Sequence, residues 1–231
     1  MNLGLVLAAA ILMNGCASSR QVIVYSFLTD AGRSLTTPSD EKPARCALGS
    51  GGYHEWGGFR AGEKPATLGI IEPLVRAALR MNGYAGMQHG ESPDLIVIFH
   101  WGCMRPEMRG LGTGPADVAL NYHDMLDLVG VRALGSVNDR ILQSALLEAA
   151  ADERYFLIVS AYAPPSSGEK LTQLLWRTQC SLPLAGIDQE RAFAVLAAAG
   201  SVHFGRETNV PDFVTLDVER VLREAIRPVN P

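Results

Sequence analysis

After an N-terminal apolar run, β-branched and aromatic residues first gather at Val22-Ile-Val-Tyr-Ser-Phe-Leu28, which predicts a strand. Residues 29–65 break that pattern with Gly49-Ser-Gly-Gly52, Gly57-Gly58, Pro38, Pro43 and Pro65, and are expected to form a long loop. From Ala66 the period becomes helical: Leu68, Ile71, Val75, Ala78 and Leu79 fall on one face, Asn82-Gly83 stops the helix, and Pro73 bends it or marks its first turn. Leu95-Ile-Val-Ile-Phe-His-Trp101 is apolar at almost every position, as a strand buried on both faces requires. Residues 104–137 are rich in Gly and Met, with a short apolar piece at Met125–Val129, and are expected as a second long loop. Asn138 is placed to cap a helix carrying Ile141, Leu142, Ala145, Leu146 and Ala149. Tyr155–Tyr162 predicts a third strand, Pro164–Gly168 a turn, and Leu171–Leu182 a fourth strand. In that fourth strand Trp176, Thr178, Cys180 and Leu182 share one face, and Arg177, Gln179 and Ser181 the other. Asp188 opens a helix with Phe193, Leu196, Ala199 and Gly200 on its packing side, and Asp217–Ile226 makes the last one. The expected fold is an α+β two-layer sandwich, a mostly antiparallel four-stranded sheet with helices packed on one side.

Composition narrows the field. A chain of 231 residues with 48% hydrophobic and 19% charged residues supports a single core and excludes intrinsic disorder. The net charge of −4, with no run of Lys and Arg longer than two, argues against nucleic acid as a partner. No stretch of eighteen apolar residues occurs, so no helix is expected to span a bilayer.

Leu3–Met13 is an uncharged apolar run, about 16 Å long as a helix, half a hydrocarbon core. That length suits the h-region of a secretory signal. Asn14-Gly15-Cys16 follows, a small residue before a cysteine, and resembles the lipobox of bacterial lipoproteins. Met13 and Asn14 depart from its usual residues, and the n-region lacks Lys or Arg. The resemblance implies a signal peptide over residues 1–15, a mature domain over 16–231, and Cys16 as a lipidated N-terminus carrying palmitate-class acyl chains. Ala17 in the next position implies the outer membrane, with the domain facing the periplasm.

Beyond Cys16 the cysteines are Cys46, Cys103 and Cys180, an odd set without a C-x-x-C pair. They allow one disulfide and a free thiol, or three small buried hydrophobes.

Candidate chemistry is sparse. Gly110-Leu-Gly-Thr-Gly114 lacks the strand-to-helix setting and the lysine of a phosphate loop. His100 and Cys103 have a metal-like spacing, with His123-Asp124 downstream, but positions three apart on a strand face opposite ways unless Gly102 breaks it. G-x-S-x-G is absent, and Gly49-Ser50-Gly51 reads as a turn. No catalytic residue, metal site or cofactor is assigned. Tyr53, His54, Trp56 and Phe59 form the candidate binding loop, although the favoured role of Trp56 is simply to fold that loop onto the sheet. Tyr53, Trp56, Phe59, Met104, Met108, Tyr122 and Met125 hold enough apolar surface in the two loops to make an interaction patch if part of it stays exposed.

Val24-Tyr-Ser-Phe27, Ala77-Ala-Leu-Arg-Met-Asn-Gly-Tyr84, Pro93-Asp-Leu-Ile-Val97 and Leu174-Leu-Trp-Arg177 occur in an order that resembles bacterial lipoproteins carrying the domain of unknown function numbered 4136. The resemblance covers about a third of the chain; the 29–65 and 104–153 segments and the tail after Gly205 depart from it. It implies a fold and an envelope location and carries no catalytic residues. The functional expectation is therefore a non-enzymatic binding or assembly module, held at the membrane through Cys16 and engaging an envelope protein. The alternative is a periplasmic hydrolase or metal-dependent enzyme using His54, His100 or His123, which would require those histidines to converge.

Overall fold

The computed structural model of the chain describes residues 19–35, 37–39, 41–56, 65–87, 90–106, 118–135, 139–165 and 173–225. Seven strands form one open mixed sheet: β1 Ser19–Leu28, β2 Ala44–Trp56, β3 Tyr84–Gly86, β4 Leu95–Met104, β5 Arg154–Tyr162, β6 Leu174–Pro183 and β7 Asp212–Asp217. The helices are α1 Asp30–Arg33, α2 Leu68–Arg80, α3 Val118–Leu128, α4 Arg140–Ala151, α5 Gln189–Ser201 and α6 Val218–Ala225, with a 3-10 turn at Val131–Leu134. The strand order is β3-β2-β4-β5-β6-β1-β7. Pairs from β4 to β7 are antiparallel, whereas β2 runs parallel to both β3 and β4. The class is α+β, with seven strands rather than the four expected.

The additional strands come from segments without a clean local signal. Residues 29–65, expected as loop, hold α1 and the thirteen-residue β2. Its Gly-rich centre has little strand propensity, and the pairing with β4 is tertiary. One anchor is visible where both strands start: Asp94 accepts from the Arg45 backbone N–H at 2.8 Å and from the guanidinium at 3.2 and 2.8 Å. Asp94 N–H returns a bond to the Arg45 carbonyl at 2.8 Å. Residues 104–137, also expected as loop, contain α3 and the 3-10 turn. Short strands β3 and β7 were absent from the expected set as well. The fourth helix is capped by Asp139, whose side chain accepts from Leu142 N–H, and not by Asn138, which lies outside the described residues.

Helices also cover both faces of the sheet instead of one. On one face α2 and α5 bury Ile71, Val75, Leu79, Phe193, Val195 and Leu196 against Val22, Val97, Phe99, Leu157 and Cys180. Ala192–Ala197 are all buried, which makes α5 the central helix of that layer. Trp101 Nε1–H reaches the Ala66 carbonyl at 3.0 Å, and Ala66 N–H reaches Gln189 Oε1 at 2.7 Å, tying the entry of α2 to β4 and α5. On the opposite face α3 and α4 pack Met125, Leu128 and Leu146 on Ile23, Met104 and Phe156, a smaller cluster. The alternation Val22/Ile23/Val24 and Phe156/Leu157 between the two clusters is the period-two signature of a strand buried on both sides.

Candidate functional site

In the first of the two loops expected to carry binding, 29–65, the candidates Tyr53, His54 and Trp56 stand on strand β2. It pairs with β4 in parallel from Cys46↔Leu95 to Trp56↔Met104, with one register shift between Ser50 and Gly52. That bulge inserts Gly51 and reverses the facing of everything after it. Cys46 and Leu48 face α2 and α5; counted without the bulge His54 would do the same, yet Tyr53 and Glu55 take that side and His54 and Trp56 the other.

The reversal brings His54 beside His100, with His54 Nε2 3.0 Å from His100 Nδ1 and ring centroids 5.1 Å apart. The Gly51 carbonyl lies 3.2 Å from His54 Nε2 and also hydrogen-bonds His100. His54 stacks on Trp56 at 5.6 Å, and Trp56 on Phe156 at 4.9 Å, so a row of rings runs from the core to the imidazole pair. Burial, then the neighbouring His54 and Arg177, push the His100 imidazole below its usual range. Arg177 is held by its Nε–H to Ser160 Oγ at 2.9 Å.

On the other face of β2, Tyr53 OH lies 3.5 Å from Cys103 Sγ, and burial raises the phenol well above its usual range. Glu55 meets Arg105 at 2.6 Å, with side chains 14% and 6% exposed. Arg105 is also 3.9 Å from Glu153.

Of the expected binding residues, Tyr53, His54 and Trp56 are half-buried on a strand and not in a loop, and Phe59 lies outside the described residues. Trp56 packs against Phe156, the role of fastening its segment to the sheet. Met104 and Met125 are core residues, so neither contributes to an exposed apolar patch; Met108 and the side chain of Tyr122 lie outside the description. His100 and His54 come together, while His123 is an exposed residue of α3. His100 and Cys103 face opposite sides, because β4 continues through Gly102 to Met104. Among the described residues no three His, Cys, Asp or Glu side chains gather as a metal cage. Cys46, Cys103 and Cys180 are buried, and no two of them form a disulfide. Cys16 and the 110–114 glycines lie outside the described residues.

Sequence reasoning missed the outer edge of β2. β3 pairs only with Ala44–Cys46, so from Ala47 to Trp56 that edge has no strand partner among the described residues. The signal available in the sequence was the phase change at Gly51 between Cys46/Leu48 and Tyr53/Glu55.

An α+β domain with an open mixed sheet is what fold and site define. No family model matches the chain, and no curated protein matches it. A PDZ domain protein from Parabacteroides distasonis ATCC 8503 is a distant structural match, with 10% sequence identity and a TM-score of 0.44. The match covers 90% of this chain and 42% of that one, so the chain spans less than half of the solved protein.

Proposed function

We propose that this protein is a lipid-anchored envelope module, attached through Cys16 and facing the periplasm, that binds an extended segment of a partner protein by strand addition to β2. The observation that carries the reading is the outer edge of Ala47–Trp56, without a strand partner among the described residues. Each unpaired edge offers a row of N–H and C=O groups that an extended peptide satisfies. Natural edges are commonly blunted by Lys or Pro, and this segment has neither. Its bulge divides the edge into a run before Ser50 and a run after Gly52, so an added strand is expected to engage one run at a time.

Attachment is supported by the lipobox resemblance at Cys16 and by the short tether it would leave. β1 begins at Ser19, within about 10 Å of Cys16 at full extension. Among the described residues no helix is long and apolar enough to cross a membrane.

The test is photocrosslinking in intact cells, with benzoylphenylalanine at Ser50 on β2 or at Ile141, an exposed residue of α4. Successive residues of a strand direct their N–H groups to opposite edges, so one of Leu48→Pro and Gly49→Pro removes an outward donor and the other a β4 ladder bond. The Ser50 probe should give a discrete protein adduct that is lost in whichever proline variant keeps the wild-type unfolding midpoint. An adduct equally strong from Ile141, or one unaffected by that variant, rules the reading out.

A further inference from the structure

We propose that His54 Nε2, His100 Nδ1 and the Gly51 carbonyl form a three-ligand seat for a divalent late transition-metal ion, Cu(II) most tightly, with water in the remaining positions. This goes beyond the strand-addition reading and does not depend on it. Metal–imidazole bonds of about 2.0–2.1 Å set ligand atoms roughly 2.9 Å apart at a right angle and roughly 3.3 Å apart at a tetrahedral one. The two nitrogens stand 3.0 Å apart, and His54 Nε2 stands 3.2 Å from the carbonyl oxygen. Both separations from His54 Nε2 therefore match ligand spacings in a coordination sphere.

The arrangement is held from several sides. His100 is fixed within β4, between its pairing to β2 and to β5. The ring of His54 stacks on Trp56, itself stacked on core Phe156. The bulge places the Gly51 carbonyl between the rings, and a side chain at Gly51 would overlap the His100 ring. Loading an ion requires both inner nitrogens to be bare, with hydrogens on His54 Nδ1 and His100 Nε2. From two neutral rings that change is a tautomer shift through solvent, with no net loss of a proton.

The donor set also selects the ion. Two imidazoles and a carbonyl suit copper, nickel and zinc over magnesium or calcium, which prefer all-oxygen sites. Among these, ions of equal charge feel Arg177 alike, and the Irving–Williams order places Cu(II) above Ni(II) and Zn(II). With only three protein ligands the site stays open to water and exchange, unlike a closed structural zinc site.

The experiment titrates the full chain, purified in detergent, with Cu(II), and reads affinity by calorimetry and ligation by electron paramagnetic resonance. One ion per chain and a hyperfine pattern from two ring nitrogens are expected. His54→Ala and His100→Ala should each weaken that site at least tenfold, while His123→Ala, on exposed α3, leaves it unchanged. No stoichiometric ion, fewer than two ring nitrogens in the wild type, or a two-nitrogen site that survives His54→Ala would each overturn the proposal. The wild-type spectrum decides the matter even where an alanine variant fails to fold.

Discussion

The imidazole of His100 occupies the volume that a Cβ on Gly51 would need: its Cε1, Nδ1 and Nε2 all fall within overlap distance of that position. Ring and glycine lie on adjacent strands, so the bulge in β2 and the histidine in β4 have to be satisfied together. Gly102 repeats the relationship in the reverse direction. A Cβ there would overlap the His54 backbone carbonyl, so both glycines serve close approach between β2 and β4.

Gly51→Ala is accordingly expected to destabilise the domain by about 1–3 kcal/mol, the usual range for overpacking. The clash is with a side chain, so His100→Ala in the same chain should recover part of the loss. A double-mutant cycle in urea measures it, and an interaction energy near zero would separate the two residues. Gly102→Ala meets backbone, has no side-chain partner to give way, and should show no such recovery.

Arg105 and Glu55 close the far ends of β4 and β2 as an ion pair at 2.6 Å with little solvent access. Removing one partner strands a carboxylate, which typically costs about 3–5 kcal/mol. Arg105→Ala should therefore lower stability more than Arg45→Ala, whose partner Asp94 is 44% exposed and can be rehydrated. Denaturant midpoints of the two variants settle the order, and equal losses would contradict it.

Much of the fold was legible because its apolar periods are local. α2, α5 and strands β1, β4, β5 and β6 stand close to where Ile71/Val75/Leu79, Phe193/Leu196, and the runs at 22–28, 95–101, 155–162 and 171–182 put them. β2 was hidden because Gly49-Ser-Gly-Gly52 has the composition of a turn, and strand geometry there depends on β4 and on the Arg45–Asp94 anchor. The apolar piece around α3, Met125 and Leu128 with Val129 just beyond the helix, was visible, but it did not announce a helix. β7 was missed between α5 and α6, since Phe213, Val214 and Leu216 are only half-buried and pair along the sheet edge with β1. The site was half legible. His54, Trp56 and His100 were singled out, but their meeting requires a parallel pairing and a bulge that no local pattern specifies.

The cysteines give a direct check on the packing. Cys46, Cys103 and Cys180 are buried thiols, and burial raises the pKa of Cys46 and Cys180, which suppresses the reactive thiolate. In native protein none of the three should react with a thiol-specific chromogen over minutes, and all three should react in concentrated guanidinium. A native-state titre that includes any of these three, identified by peptide mapping, would show that the core is open there.

Lipid attachment is tested independently of binding. Labelled palmitate is expected to enter the wild-type chain and not Cys16→Ser, which should also leave the membrane fraction. Equal labelling of the two chains would remove Cys16 as the acceptor.

His203 gives the fold a sensitivity to acid. Its side chain is 15% exposed, and Nε2 lies 3.7 Å from Asp212 Oδ2. Its carbonyl accepts from Ser26 Oγ and Thr178 Oγ1, fixing the segment after α5 against β1 and β6. Burial lowers the imidazole below its ordinary range near 6.5; the Asp212 carboxylate pulls it back and Arg206 pushes it down. The folded pKa is thus below the unfolded one, and between them the unfolded chain binds more protons. This contribution is present above about pH 6.5 and is lost as pH falls through the folded value. The stability gap between wild type and His203→Gln, from urea unfolding at pH 7.5 and pH 5, should therefore shift toward the variant at the lower pH. Asp212→Asn removes the one group that raises this pKa, so its acid loss should be steeper than that of the wild type. A gap independent of pH over that interval would show that His203 charges in the folded state as easily as in the unfolded one.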